Sequence, residues 1–489
     1  MRVAVVGAGL GGLSAACHLA GRGHEVVVVE RADRPGGLVD RLEHDGYRVD
    51  TGPVVLTMRG IVEDTFAAAG ASVDEHLTLQ RLDPMYRACF ADGSQLALRA
   101  DVDATRDEIA QLAGRREADA FIRFCGWLRD LYDAEFGPFI ARNFDRPTNL
   151  LRSPAALARL LRLGALRRLA PVVASFFDDE RLQRVFSFQA LYAGLSPFEA
   201  LAVFSVITYM DSVEGVLFPA GGMHELARGL ALAAEKAGAT FRYSTPVARI
   251  ERRPDGRVQG IRLAGGERVA ADAVVCNADV AATYRTLLGL APPRIVTKGQ
   301  YSPSCVVWAA GVRGRLPDGA AHHNLHFGAG WRDAFDTLLR GRARMADPSL
   351  LVTTASATDA TVAPAGGATV YALEPVPNLD GAVDWGVEGP RARDDLVRRI
   401  GALGYPVSDV VVERVTDPPR WAAAGLERGT PFSLAHRFFQ SGPFRTPNID
   451  RRAPGLVLAG MGTVPGVGIP MVLLSGRLAA DRIDAWSPV

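Results

Sequence analysis

A chain of 489 residues is longer than one compact core usually organises, so two domains, interleaved in sequence, are the starting expectation. Hydrophobic residues make up 48% and charged residues 22%, which excludes a disordered chain and supplies apolar side chains for large cores. With 55 basic against 54 acidic residues the net charge is only +1, so no charge excess points to nucleic acid.

The first element is a short apolar run at residues 3–6, read as a buried strand. It leads through Gly7, Gly9 and Gly12 into a helix of small residues, and the chain returns as EVVVVE, ending at Glu30. This strand, turn, helix, strand unit holds a dinucleotide. Gly7 permits the tight turn, Gly9 lets the backbone approach a pyrophosphate, and Gly12 lets the helix lie close on the strand. The unpaired amides at the helix start then face the phosphates, and Glu30 at the tip of the second strand can accept hydrogen bonds from a ribose diol.

Two further loops follow. RADRPGG begins at Arg31 and adds the pair Gly36 and Gly37, followed by Leu38; YRVDTGP, with Gly52 and Pro53, can also pass close to a flat ligand. No second GxGxxG is present to hold a nicotinamide cofactor alongside. The pair of loops resembles the extended site of the flavin amine-oxidase superfamily, which implies one FAD. The expected fold class is α/β: a Rossmann-type FAD-binding domain assembled from discontinuous segments (1–76, 212–290 and 440–489), plus a mixed α+β substrate domain (77–211 and 291–439).

Within the first insert, MYRACFADGSQLALR reads as strands and EADAFIRFCGWLRDLYDAEF as a long helix. The stretch 149–177 carries five arginines and no acid. Ser153 and Pro154 suit a helix start, after which Leu157, Leu160 and Leu161 share one side and Arg159 and Arg162 the other. Such a basic amphipathic helix can lie in a bilayer interface, and the alternative is a domain helix with a solvated basic face. Asp211 and Glu214 precede the return to dinucleotide-type sequence and are candidates for proton transfer, with ion pairing as the alternative; no catalytic residue is assigned. A helix and strand follow, then a hairpin and a buried strand ending at Cys276 to Asp279. The triple His322, His323 and His326 lies in a strand-like run and reads as packing or lining, not as a metal site. Cys17, Cys89, Cys125, Cys276 and Cys305 are odd in number with no CxxC spacing, which fits reduced thiols in a cytosol and neither a disulfide frame nor zinc.

The last element is the uncharged stretch 456–476, LVLAGMGTVPGVGIPMVLLSG, long enough to span a bilayer. Gly460, Gly462, Pro465, Gly466, Gly468 and Pro470 exclude a continuous helix there, since each glycine or proline in a helix interior costs roughly 1 or 3 kcal/mol. It reads instead as a buried strand, a glycine-proline loop, and a helix that starts near Ile469.

This loop, together with YSPSCVVWAAGV, HHNLHF and the segment 347–379, resembles the bacterial phytoene desaturase, or carotenoid dehydrogenase, family, in order along nearly the whole chain. The resemblance implies a flavoprotein that desaturates a long polyisoprenoid hydrocarbon by hydride transfer to flavin N5. It places Gly460, Gly462, Gly468, Ile469, Pro470 and Met471 along the flavin ring and Val247 at the adenine. Two positions depart from the family pattern: Leu38 stands where an arginine is common, with Arg31 and Arg41 as substitutes, and Met471 where a glycine is frequent. The partners expected are a hydrophobic polyisoprenoid, a membrane surface on the cytoplasmic side, and oxygen or a quinone as electron acceptor, without nucleic acid. An amine oxidase, another carotenoid-modifying flavoprotein such as an isomerase, ketolase or oxygenase, and a non-catalytic prenyl carrier are the alternative functions.

Overall fold

The computed structural model describes residues 1–486. Its first layer is a parallel five-stranded sheet in the order Leu456–Leu458, Ala273–Cys276, Arg2–Val6, Glu25–Val29, Thr240–Arg242. Valine dominates these strands because a parallel sheet covered on both faces buries nearly every side chain, so alternation is lost. Helix Leu10–Gly21 lies on the sheet with Leu10 to Ala20 buried, and helices His224–Lys236 and Ile469–Asp484 pack beside it. The helices from the two chain ends cross at Gly476, where a Cβ would come within 2.6 Å of Ala15 N, Gly11 O and Ser14 Cβ. The crossing is pinned by a 2.6 Å bond from Ser14 Oγ to Leu473 O.

A second, seven-stranded sheet runs Asp409–Thr416, Ser304–Arg313, Gly367–Val376, Leu350–Thr353, His323–His326, Tyr86–Cys89, Gln95–Leu98. Its pairs are antiparallel except for His323–His326 with Tyr86–Cys89. Along Ser304–Arg313 the period of two is explicit. Val306, Trp308, Ala310 and Val312 meet helix Trp385–Ala402 through Leu396 and Ile400, while Cys305, Val307 and Ala309 meet Tyr47, Val49 and Trp421.

Tyr47 belongs to the hairpin Arg41–His44, Tyr47–Asp50, which follows the second strand of the parallel sheet and covers the second sheet's other face. A Cβ on Gly311 would lie 2.5 Å from Tyr47 Cγ, and one on Gly367 would overlap the phenol oxygen. These two glycines therefore open the slot from which Tyr47 donates to Val312 O at 3.1 Å. A small pair, Leu79–Arg81 with Leu217–Pro219, also links the layers.

The basic segment 149–177 is divided into three short elements. It forms a 3-10 turn Pro147–Arg152, a nine-residue helix Pro154–Arg162 and a helix Leu169–Ala174. Leu160 docks on Leu131 and Ala134 of helix Arg115–Glu135, while Leu161 is 54% exposed. Arg159 turns toward the protein to pair with Asp130 at 2.6 Å. Leu157, Leu160 and Leu161 lie on one side of this helix with Arg159 and Arg162 opposite, as their spacing predicts, but only Leu160 is buried.

Candidate flavin site and its approach

The glycines of the first turn are each held by something specific. Gly7 has φ +95°, and a Cβ on Gly12 would overlap Gly7 O, so the helix lies against the turn only because neither residue carries a side chain. Gly9 caps helix Leu10–Gly21 without a side-chain bond, leaving the first amides free. The PGG loop is drawn alongside: Gly36 N donates to Ala8 O at 2.9 Å, and a Cβ on Gly37 would lie 3.1 Å from Gly9 Cα.

Asn277, at the end of strand Ala273–Cys276, is the point where these pieces meet. Its amide would be 2.6 Å from a Cβ on Gly9, 2.5 Å from one on Gly11 and 3.0 Å from one on Gly460. A Cβ on Gly11 would also come within 2.9 Å of Gly460 N. Loops from both chain ends thus converge on one side chain. Sequence reasoning named this strand end without singling out Asn277; the available signal was an amide directly after four buried apolar residues.

Glu30 is buried and accepts from Ala8 N at 2.6 Å and Ala32 N at 2.8 Å, one bond per oxygen, which leaves lone pairs at the strand tip. Val247 opens strand Val247–Arg252 and packs in the cluster of Val6 and Val29, with Thr245 N bonded to Glu30 O at 2.8 Å. Gly52 is needed for packing, since its Cβ would overlap Leu38 O, and Pro53 is exposed. Leu38 itself packs half-buried in the Tyr47 cluster. The two arginines considered as its substitutes have partners of their own: Arg31 donates to Ala424 O at 2.6 Å, and Arg41 pairs with Glu225 at 2.5 Å and Glu43 at 2.8 Å. Asp50, not anticipated from sequence, accepts from Met223 N at 2.9 and 3.0 Å just before helix His224–Lys236, and burial pushes its carboxyl up to about 7.

On the C-terminal loop, Gly460 (φ +106°) donates to Ser475 Oγ at 2.7 Å, and a Cβ on Gly462 would lie 2.6 Å from Val280 Cγ2. A Cβ on Gly466 would overlap the His436 ring. Gly468 (φ +109°) faces open space within 4 Å and caps helix Ile469–Asp484 without a side-chain bond; Ile469 and Pro470 are buried and Met471 half-buried. Beneath the loop Arg445 is fully buried and donates to Met461 O at 2.6 Å, Thr463 O at 3.0 Å and Leu434 O at 3.2 Å. Burial lowers it to about 10, so it stays charged at neutral pH, and among the described residues it has no carboxylate partner.

Against the seven-stranded sheet, at Tyr86, lies a buried polar cluster. Asp211, 2% exposed, accepts on Oδ1 from Ser212 Oγ at 2.6 Å and Gln189 Nε2 at 3.4 Å, while Oδ2 meets no partner. This corrects the ion-pair alternative for Asp211, and Glu214 is exposed with no ion pair among the described residues. His322 and His323 are buried against Phe218 and Tyr86, and desolvation lowers both, His322 to about 3, so they are neutral packing groups. Among the described residues no three His, Cys, Asp or Glu stand together as a metal site, and all five cysteines are free.

A half-open groove of about 1180 Å³ opens beside this region, lined by Leu166, Leu201, Phe204, His436, Phe438 and Phe439 among others. His436 connects the two places: its ring packs on Gly466 and on Phe204, and its amide donates to Ala193 O at 2.8 Å.

Two uncapped helix starts, glycines that admit no side chain, and an acid at the tip of the second parallel strand make a cradle suited to a flavin dinucleotide. The class is that of FAD-dependent oxidoreductases with an interrupted nucleotide-binding domain. The chain belongs to the flavin containing amine oxidoreductase family, which matches residues 10–484, and within it to the phytoene dehydrogenases. A phytoene dehydrogenase of Streptomyces griseus is 48% identical over 486 residues, covering 98% of this chain and 94% of the relative. A zeta-carotene-forming phytoene desaturase of Myxococcus xanthus is 38% identical over 498 residues, covering 99% and 94%. Among solved structures, an oxidoreductase from Methanosarcina mazei has a TM-score of 0.64 at 17% identity, covering 99% of this chain and 100% of that one. A putrescine oxidase variant has 0.62 at 15%, covering all of both, so these two attest the fold alone.

Proposed function

We propose that the protein desaturates a long polyisoprenoid hydrocarbon, phytoene or a related carotenoid, using FAD. The observation that carries this reading is the meeting of glycine loops from both chain ends at Asn277, in a chain 48% identical to a phytoene dehydrogenase. When bound, FAD supplies the hydride acceptor, its N5. Gly7, Gly9, Gly12, Gly36 and Gly37 make room for the pyrophosphate, Glu30 takes the ribose, and Val247 borders the adenine. Arg31, Leu38, Gly52 and Pro53 shape the loops beside the nucleotide. Gly460, Gly462, Gly468, Ile469, Pro470 and Met471 line the ring, where the helix start favours negative charge. This reading divides the chain into a flavin domain (1–76, 212–290, 440–489) and a substrate domain (77–211, 291–439). In its support, all strands of the parallel sheet fall in the former and all seven strands of the other sheet in the latter.

A hydrocarbon offers no polar handle, so the protein binds it by apolar burial, roughly 25 cal/mol per Å². The groove at Phe204 and His436 suits that role. No helix among the described residues is long and apolar enough to cross a membrane. The reading instead has the protein seated on the cytoplasmic face of the cell membrane, taking substrate from the bilayer and passing electrons to oxygen or a quinone. Supporting this are Phe439, 72% exposed, and Phe438, 46% exposed, which line the groove with Leu166, Arg168 and Arg437. The test is to incubate the FAD-loaded protein with phytoene in liposomes and chromatograph the products. Products with a lengthened conjugated system support the function; a colourless protein that takes up no FAD, or unchanged phytoene, overturns it.

A further inference from the structure

Desaturation removes a proton as well as a hydride, and in an apolar channel that proton needs a destination. The buried carboxylates differ in what surrounds them. Glu30, Asp50 and Asp359 use both oxygens on backbone amides, and Glu374 is paired with Arg344. Glu135 is raised by burial alone, with no titratable neighbour contributing. Glu117, Glu135 and Glu374 each leave one buried oxygen without a partner, as Asp211 does with Oδ2, but Asp211 stands among other such groups: the hydroxyls of Tyr86 and Tyr192, which face it from strand Tyr86–Cys89 and turn Phe188–Ala193, and Gln189 Oε1 of the amide that donates to it are also buried without partners. Leaving several buried polar atoms unpaired costs about 1–3 kcal/mol each, which favours a cluster built for something that comes and goes.

Its place in the fold agrees. Asp211 lies in a π-helical turn, Met210–Glu214, a local geometry frequent at functional sites. The segment after it is tied to the nucleotide loops, since Leu217 N donates to Leu56 O at 2.8 Å, shortly beyond Pro53. Tyr192 precedes Ala193, whose carbonyl holds His436 against Gly466 of the C-terminal loop.

We infer that Asp211 is the proton acceptor of the desaturation, with Tyr86 and Tyr192 as the hydroxyls through which the proton leaves. This rests on the desaturase reading above. Two C–H bonds on neighbouring carbons break: one leaves as hydride to the flavin, and the other gives its proton to Asp211 Oδ2 while its electron pair becomes the new C=C bond. The carboxyl, now neutral, returns the proton along the tyrosines before the next turnover. Burial holds Asp211 at about 7, so it is partly ionised at neutral pH, and the facing groups, Tyr86, Tyr192, Ser212 and Gln189, are all uncharged there. The acceptor can be weak because the carbon next to an allylic cation is acidic.

The experiment compares wild type, Asp211→Asn, Asp211→Glu and Tyr192→Phe, each loaded with FAD. Measured in an Asp50→Asn background, which removes the other carboxyl held near 7, infrared difference spectra should show a protonated-carboxyl band that titrates near neutral pH and is lost when Asp211→Asn is added, with flavin content unaffected by Asp211→Asn. With phytoene in liposomes, D211N should lose on the order of 10²-fold or more in turnover, with D211E recovering part of it and Y192F falling by less. Turnover of wild type should rise with pH through about 7 and level above, a rise that D211N lacks. If wild type is active and D211N keeps activity within a few-fold, or the band that titrates in the Asp50→Asn background persists once Asp211→Asn is added, the inference falls while the desaturase reading stands. If wild type itself leaves phytoene unchanged, the desaturase reading falls and this inference with it.

Discussion

Single positions carry the nucleotide cradle through exclusion more than attraction. Gly9 sits where a side chain would press on Asn277, and the proposed reading brings the pyrophosphate past it, so Gly9→Val is expected to abolish flavin retention. The visible spectrum of the purified variant checks this, and a flavin content equal to wild type would refute the placement. Asp50 shows the opposite case, a polar group that the fold keeps at an energetic disadvantage. Its carboxyl is raised from 3.8 to about 7 in the folded protein, so the unfolded chain gives up this proton first. Stability therefore falls as pH rises from about 4 to about 7 and levels above, by at most roughly 1.4 kcal/mol per pH unit in that window. Asp50→Asn keeps an acceptor for Met223 N and removes the titration. Urea unfolding at several pH values should show the variant gaining on wild type from about pH 4 to about pH 7, and a constant difference would rule this out.

At the level of elements, the site depends on two helices from opposite chain ends touching through backbone. Gly476 makes that possible, because Ala15 N, Gly11 O and Ser14 Cβ leave no room for a Cβ. Gly476→Leu is expected to lower unfolding stability by about 1–3 kcal/mol through overpacking. It should also weaken FAD binding, since moving helix Ile469–Asp484 moves Gly460 away from Asn277. Thermal denaturation and flavin titration of the same variant read both effects; a stable variant with ordinary FAD affinity would show that the crossing does not position the loops. The hairpin carrying Tyr47 does similar work at the other side, joining the nucleotide loops to the second sheet through a slot made by Gly311 and Gly367.

For the whole molecule, the arrangement of apolar residues outside the core matters as much as the core. Phe438, Phe439 and Phe444 meet edge-on or tilted, and Phe438 and Phe439 line the groove and are left in solvent, an arrangement that contributes little to folding and suits contact with acyl chains. Replacing Phe438 and Phe439 by serine is expected to leave the melting temperature nearly unchanged and to reduce co-sedimentation with anionic vesicles. It should also slow turnover of phytoene in liposomes, while the flavin spectrum stays the same. Vesicle binding equal to wild type would remove these two side chains from the proposed seat.

How much of this was legible in the chain follows from the range of the interactions involved. Local rules read the first βαβ unit, the break of the uncharged stretch 456–476 at its glycines, and the helix start at Ile469, because turn chemistry and hydrophobic run length act between near neighbours. The same rules read the helix 154–162 and its two sides but not how it is seated, with Leu160 docked and Leu161 in solvent, since that is decided by the helix it rests on. They also passed over Asn277, Asp50 and Arg445, and left Asp211 undecided. Each of those polar side chains acquires its meaning only when the folded chain closes around it and excludes water, for Asn277 and Asp50 with segments far apart in sequence, a consequence of tertiary burial that no local pattern encodes.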